Sequence, residues 1–343
     1  MPSVFITGGA GYIGTELTEH LLELDYHVTC LDRAFFGTDI LEDFKANPNY
    51  RFIRGDARTF DPAYLADHDI VVDLAAISND PSCDLDPAMT EDINYAGSFR
   101  VAKEAKARGV KQYLFSSSCS VYGAGSGAAA TETSGLAPVS LYARCKVKSE
   151  TDLMGLHDSS FSVTALRNAT VYGFSRRMRF DLVVNLMTAK AFQDRVIFVL
   201  GGGQQWRPNV HVRDVARAFG HMMEQPLDKI GGQIYNVGSN DQTYRVIDIA
   251  HIVRDIIPSA RIEVVDDDPD KRNYNVNFDR ITNDLGFTTR YHIEDAVADL
   301  KHRLTRGLVR PFNDPRTKTL DYYRWLIEAK QVLDELCIND RLF

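Results

Sequence analysis

Two stretches of the chain carry residues able to move protons. The first is Tyr142-Ala143-Arg144-Cys145-Lys146. On a helix, positions i and i+4 share a face, so the Tyr142 phenol and the Lys146 ammonium would be neighbours. A cation there favours phenolate and lowers the tyrosine pKa toward neutrality, which makes Tyr142 a candidate general base. The second is Ser116-Ser117-Ser118-Cys119-Ser120-Val121-Tyr122-Gly123, a row of hydroxyls and one thiol directly after an apolar run. A nucleophilic thiolate needs a base or cation beside it, and the sequence supplies no obvious partner for Cys119. Cys119 therefore reads as a bystander, with contact to a ligand as the lesser alternative.

A third stretch has the makings of a ligand cradle. Thr7-Gly8-Gly9-Ala10-Gly11-Tyr12-Ile13-Gly14 follows a strand and opens a helix. Glycines so placed let backbone approach a pyrophosphate and turn a helix N-terminus toward its charge. Asp32, 18 residues past Gly14, stands where a carboxylate accepts hydrogen bonds from an adenosine ribose and repels a 2′-phosphate. Together they predict NAD as cofactor in preference to NADP, with Arg33 working against that preference.

Such groups need elements to position them. Through residue 167, apolar runs at Val4–Thr7, Val28–Leu31, Arg51–Ile53, Ile70–Leu74, Gln112–Ser116 and Ser162–Leu166 read as strands, and segments such as Tyr12–Leu24 and Ala96–Arg108 have helical period. That alternation predicts an α/β fold with a doubly wound parallel sheet. Beyond residue 174 the pattern is irregular. Helices are expected near 180–193, 211–224, 245–256, 293–306 and 318–336, and short strands near 196–199, 233–237 and 261–265. We expect a dinucleotide-binding domain over 1–174 and a smaller substrate lobe mainly over 175–310, with some segments returning to the first core. A helical extension over 311–343 completes the division.

The bulk numbers exclude several classes. The 343 residues carry a net charge of −8 and no basic stripe interleaved with aromatics, which argues against nucleic acid as a partner. No stretch of about 18 apolar residues is present to span a bilayer, and no secretory leader opens the sequence, so a cytoplasmic protein is expected. The five cysteines are scattered and never spaced C-x-x-C, which predicts neither a disulfide framework nor a metal site. Asp266-Asp267-Asp268-Pro269-Asp270 reads as a solvated loop.

Taken in order, T-G-G-x-G-x-x-G, Asp32, Gly55-Asp56, Leu74-Ala75-Ala76, Asn94, S-S-S-x-x-V-Y-G and Y-x-x-x-K resemble the extended short-chain dehydrogenases, and within them the NAD-dependent epimerase/dehydratase family acting on nucleotide sugars. The resemblance covers about residues 2–305. It implies a Rossmann-type sheet with a smaller C-terminal α/β lobe. It places cofactor contacts at Gly8, Gly11, Tyr12, Ile13, Gly14, Asp32, Arg33, Asp56, Ala57, Leu74, Ala75 and Ala76, and again at Tyr142 and Lys146. It implies Ser118, Tyr142 and Lys146 as the catalytic group. By the same resemblance, Ser118, Cys119, Ser120, Thr170, Arg179, Asn185, Arg207 and Arg272 are candidate substrate contacts.

Departures from the family pattern bear on the reaction. Cys119 and Ser120 stand where 4,6-dehydratase-like members carry an Asp-Glu pair, and neither is a ready acid or base, so 4,6-dehydration is disfavoured. Thr170 replaces the usual sugar-contacting asparagine, and the basic run Arg176-Arg177-Met178-Arg179-Phe180-Asp181 follows at the expected mouth of the sugar site. That run also resembles a subset oxidising C4 of GDP-heptose-like sugars. The expected activity is nucleotide-sugar epimerisation through a transient 4-keto sugar with retained NAD. The alternatives are a net C4 dehydrogenase or ketoreductase and a non-catalytic dinucleotide-sensing scaffold. Helices near 86–108 and 139–156 are expected to carry apolar outer faces that pair as a homodimer.

Overall fold

The structure is a computed structural model and describes residues 2–123, 128–265 and 274–337. Arg272 and the Asp266–Asp270 run lie outside the described residues.

Val4, Phe5 and Ile6 are all fully buried, as continuous apolar strands must be when helices cover both faces of a parallel sheet. In chain order the strands are β1 (Ser3–Thr7), β2 (His27–Asp32), β3 (Tyr50–Arg54), β4 (Ile70–Asp73), β5 (Gln112–Ser118) and β6 (Ser162–Asn168). They continue with β7 (Thr170–Tyr172), β8 (Val196–Leu200), β9 (Trp206–His211), β10 (Gln233–Val237), β11 (Thr243–Arg245) and β12 (Arg261–Val265). Seven of them form one sheet in the order β10-β6-β5-β4-β1-β2-β3, every pair parallel. Side chains alternate between its faces. Val4, Ile6, Val28 and Val72 face one core with Leu17, Leu21, Phe219 and Met222. Phe5, Leu31, Val71 and Phe115 face the other with Val101, Ala105 and Leu153.

The order reverses between β1 and β4. At that switch point the connections leave in opposite directions and open a crevice beyond the carboxyl ends of the strands. The segment 233–237, expected among the irregular later elements, sits on the edge of the main sheet as β10, paired with β6 from Gln233↔Thr164 to Val237↔Asn168. Its buried Tyr235 and Val237 extend the first core, which explains why so short a strand joins the large sheet.

The smaller lobe combines β11-β9-β7 and β12-β8 with the helices Val183–Asp194, Val246–Ile256 and Ile293–Arg306 around a core that includes Ile197, Val199, Ile249, Val253 and Val297. The C-terminal arm then doubles back to the sheet. Arg310 donates to the Phe36 carbonyl at 2.8 Å, the Phe180 amide donates to the Thr317 carbonyl at 2.8 Å, and the helix Thr319–Leu336 follows.

The helices expected to show apolar outer faces carry partly exposed aromatic rings with lysines over them. Tyr95 and Phe99 stack with centroids 6.4 Å apart, and Lys148 and Lys103 lie 3.8 and 5.7 Å over their rings. Arg144 is also exposed. Lysine stems shield the aromatic surface while their ammonium groups stay in water. No helix among the described residues is long and apolar enough to cross a membrane.

Candidate active site

β1 ends at Thr7, whose hydroxyl donates to Asp73 at 2.5 Å, and the chain turns at once through Gly8 with φ +74°. A Cβ on Gly8 would stand 2.8 Å from the Ala75 nitrogen, and one on Gly14 would stand 2.5 Å from the Gly8 oxygen. Only glycine permits this packing of turn, helix and the Leu74–Ala76 segment. A Cβ on Gly9 would meet the Cys30 sulfur at 2.4 Å, so the turn also rests directly on β2. The helix Tyr12–Glu23 starts with no side chain capping its first N–H groups, which leaves them for an anion. Asn94 holds the neighbouring segment by accepting from the Ile77 amide at 2.7 Å and donating to the Ile77 carbonyl at 2.9 Å.

Asp32 closes β2. Its carboxylate accepts from the Ala34 amide at 2.7 Å and the Ala10 amide at 3.0 Å. Burial still raises its pKa above the ordinary value, against those two amides. Arg33 turns away from it to Asp56 at 3.1 Å and stacks 4.6 Å over Phe35. Asp56 is also held by Arg58 at 2.7 Å, and these arginine contacts keep its pKa low.

These groups line one cleft of about 1220 Å³, larger than the roughly 300–1,000 Å³ of an ordinary small-molecule pocket. Gly8, Gly11, Tyr12, Ile13, Gly14, Asp32, Arg33, Asp56, Ala57 and Leu74–Ala76 stand along it, together with Ser118 and Tyr142. Ser118 ends β5 and its hydroxyl accepts from the Ser120 amide at 3.2 Å, capping a short 3-10 turn. Tyr142 lies one residue into the helix Leu141–Met154, which Ser140 caps by accepting from the Ala143 amide at 3.2 Å. The Tyr142 phenol stands near enough to Ser118 for that side chain to act on its pKa. Lys146 is buried behind it, donates to the Ser116 carbonyl at 2.6 Å and lies 5.7 Å over the Tyr142 ring.

The charge balance on the phenol is opposite to the one predicted. Burial pushes the Tyr142 pKa well above its ordinary value, Asp80 and Cys83 add to the rise, and Arg179 and Ser118 oppose it. Lys146 spends its charge on the Ser116 carbonyl, and burial lowers its own pKa.

Two candidate substrate contacts, Cys119 and Asn185, are not brought to the cleft. Cys119 is fully buried among core side chains, donates from sulfur to the Arg167 carbonyl at 3.2 Å, and has its thiol pKa pushed up by burial. The turn that Ser118 caps sends residue 119 inward and residue 120 toward the cleft. Asn185 is saturated: it accepts from the Gly173 amide at 2.9 Å and donates to the Tyr12 hydroxyl and the Arg179 carbonyl at 3.1 and 2.9 Å. Its role is to lock the Tyr12 helix to the lobe. Arg179 does line the cleft, but its fork is engaged by Asp181 at 3.0 and 2.9 Å, with Ser78 at 3.2 Å. Ser120, Thr170 and Arg207 all line the cleft, and the Ser120 hydroxyl has no hydrogen-bond partner.

The structure adds two groups that sequence reasoning missed. Asn168 lines the cleft with its amide nitrogen on the Ser116 hydroxyl at 3.1 Å and its oxygen unpartnered. Arg177 is buried against the cleft, 3.6 Å over the Phe36 ring, with one terminal nitrogen unpartnered. The basic run Arg176–Arg179 was a signal for it, but not for which arginine would be turned inward.

The sequence profile of the NAD-dependent epimerase/dehydratase family matches residues 4–238. The chain belongs to that family. As an NAD-dependent epimerase/dehydratase family member it takes NAD, and the residues present fit that cofactor: the Gly8–Gly14 turn has backbone where any side chain would intrude, and the Asp32 carboxylate sits beside it. Family relatives include UDP-glucuronic acid decarboxylase 4 of Arabidopsis thaliana, 28% identical over 281 residues, which are 78% of this chain and 61% of that protein. The chain thus spans less than two thirds of that relative's length. The dTDP-glucose 4,6-dehydratase of Actinoplanes sp. is 24% identical over 311 residues, 86% of this chain and 95% of the relative. Among solved structures, a UDP-glucuronic acid 4-epimerase from Bacillus cereus in complex with UDP-glucuronic acid and NAD has the same fold, with TM-score 0.79 and 24% identity over 88% of this chain and 99% of that one. A UDP-N-acetylglucosamine 4-epimerase from Methanobrevibacter ruminantium M1 has TM-score 0.80 and 22% identity, covering 89% and 99%.

Proposed function

We propose that the protein is a nucleotide-sugar epimerase that works through a transient 4-keto sugar. The observation that carries this reading is Tyr142, lining the same cleft as Ser118, the glycine turn and Asp32, with the Lys146 ammonium 5.7 Å over its ring. Tyr142 would act as the phenolate, its own proton having passed to water in the cleft once the positive charge of bound cofactor favours that form. It would then take the proton of the C4 hydroxyl as hydride leaves C4, with Ser118 orienting that hydroxyl. Lys146, tied to the Ser116 carbonyl, fixes the distance between β5 and the Tyr142 helix. NAD, when bound, would supply the hydride acceptor and donor for C4. Inversion follows if the keto sugar turns over before the return, so no net oxidation is expected. Solved epimerases of the same fold, bound to UDP-sugars, support the reading.

Water elimination across C5 and C6 would need an acid and a base in place. Next to Ser118 the chain offers only the core-facing Cys119 and the Ser120 hydroxyl, which weighs against a 4,6-dehydratase. The test supplies UDP-, GDP-, CDP- and dTDP-sugars and follows absorbance at 340 nm with product stereochemistry. An isomer formed without NADH is expected. Stoichiometric NADH would make the protein a net C4 dehydrogenase instead.

A further inference from the structure

Arg177 is a buried guanidinium without a carboxylate ion-pair partner among the described residues. It is 3% exposed, Nη2 donates to the Thr319 hydroxyl at 2.8 Å, and Nη1 has no partner. Leaving a buried charged donor unpaired is costly unless an anion arrives. Burial and Arg179 press its pKa down to about 10, while Asp181, Tyr323 and Tyr12 pull the other way. The Asp32 carboxyl feels its charge in turn. Arg177, the start of the Tyr12 helix with its uncapped N–H groups, and Asp32 all line the same cleft. The phosphate bridge of a dinucleotide runs between a helix N-terminus of this kind and the carboxylate at the ribose position.

What holds Arg177 there is the C-terminal arm, which lies beyond the residues matched by the family profile. Among the described residues, Thr319 is its hydrogen-bond partner. Phe36, the ring beneath the guanidinium, is itself gripped by Tyr322 and Tyr323 with centroids 5.5 and 5.8 Å away. Arg310 ties the arm to the Phe36 carbonyl and to Asp39. Lys318, Thr319 and Tyr323 form part of the cleft wall.

We propose that residues 310–325 are a strap closing the cofactor end of the cleft, and that Arg177, seated by this strap, pairs with the pyrophosphate of the bound dinucleotide. The strap makes cofactor exchange slow. This rests on the family's cofactor and not on the epimerase reading, so it stands or falls separately from the sugar chemistry.

Two measurements test it. Hydrogen exchange of the wild-type chain across 310–325 should slow with ADP-ribose and stay unchanged with adenosine, which has no phosphate. Equal protection by both, or by neither, overturns the proposal. Arg177→Gln should weaken NADH and ADP-ribose, read by fluorescence and calorimetry, by about tenfold or more, and leave adenosine within about twofold. If adenosine weakens as much as NADH, or NADH binding and release are unchanged, Arg177 does not meet the phosphates. Should that variant fail to fold, the exchange measurement decides alone.

Discussion

Desolvation, Asp80 and Cys83 hold the Tyr142 pKa above the ordinary tyrosine value. A titration of the cofactor-free protein should therefore show no Tyr142 ionisation through the ordinary tyrosine range near 10, and Tyr142→Phe should leave the low end of the tyrosinate absorbance curve unchanged. Activity should fall by about 10²–10⁴-fold in Tyr142→Phe while NADH binding persists; survival of sugar conversion would remove Tyr142 from the chemistry. Cys119 gives the opposite prediction. Cys119→Ala should keep activity and cost about 1 kcal/mol of stability at denaturant midpoint, and iodoacetamide should spare Cys119 in the folded protein. The pairing of Tyr142 with Lys146 was legible because helical spacing puts both on one face, while Ser118 was singled out only by the family resemblance. The bystander reading of Cys119 agrees with its burial in the core, whereas the fates of Asn185 and the three arginines of the Arg176–Arg179 run were not legible. Those arginines look alike in sequence, yet one pairs with Glu19 and Asp43, one reaches the cleft without a carboxylate partner and one is clamped by Asp181.

Between elements, the helices Tyr12–Glu23 and Val212–Met223 pack on one sheet face and bury Glu16 between Arg176 and Arg213, at 3.9 and 3.6 Å. Burial and Glu19 lift the Glu16 pKa to about 7, against those arginines. The folded state therefore holds this proton more tightly than the unfolded chain, whose value is near 4.5. Its contribution is fully present below about pH 4.5 and is lost as pH rises to about 7, at most about 3 kcal/mol. Glu16→Gln should flatten the stability curve across that window in urea titrations; an unchanged slope would show that the arginines keep Glu16 ionised. Most strands and helices were readable from period and apolar content. Membership of β10 in the main sheet was not, because an edge strand and a lobe strand of five residues carry the same local pattern and only long-range pairing separates them.

Over the whole molecule, the main core contains Val215, Phe219, Tyr235, Phe278 and Ile281 beside strands from the first part of the chain. The lobe and the sheet thus share packed surface through several chain crossings. One cooperative thermal transition is expected, shifted upward by NADH through mass action and much less by NADPH; two separate transitions in calorimetry would show the lobes to be independent. The alternation of elements made the fold class legible, whereas the doubling back of the arm onto Phe36 was not, since its aromatic contacts join residues far apart in sequence.

Cys30 lies directly beneath the glycine turn, fully buried, its thiol held near Thr18 at 3.4 Å and pushed up to about 12 by burial. Nothing larger than hydrogen fits on Gly9 above that sulfur. A thiol reagent can add to Cys30 only when the turn has lifted away from β2, and once added it forbids the turn from settling again. The rate of labelling at this one sulfur is thus a clock for opening of the dinucleotide cradle, and bound NAD should slow it.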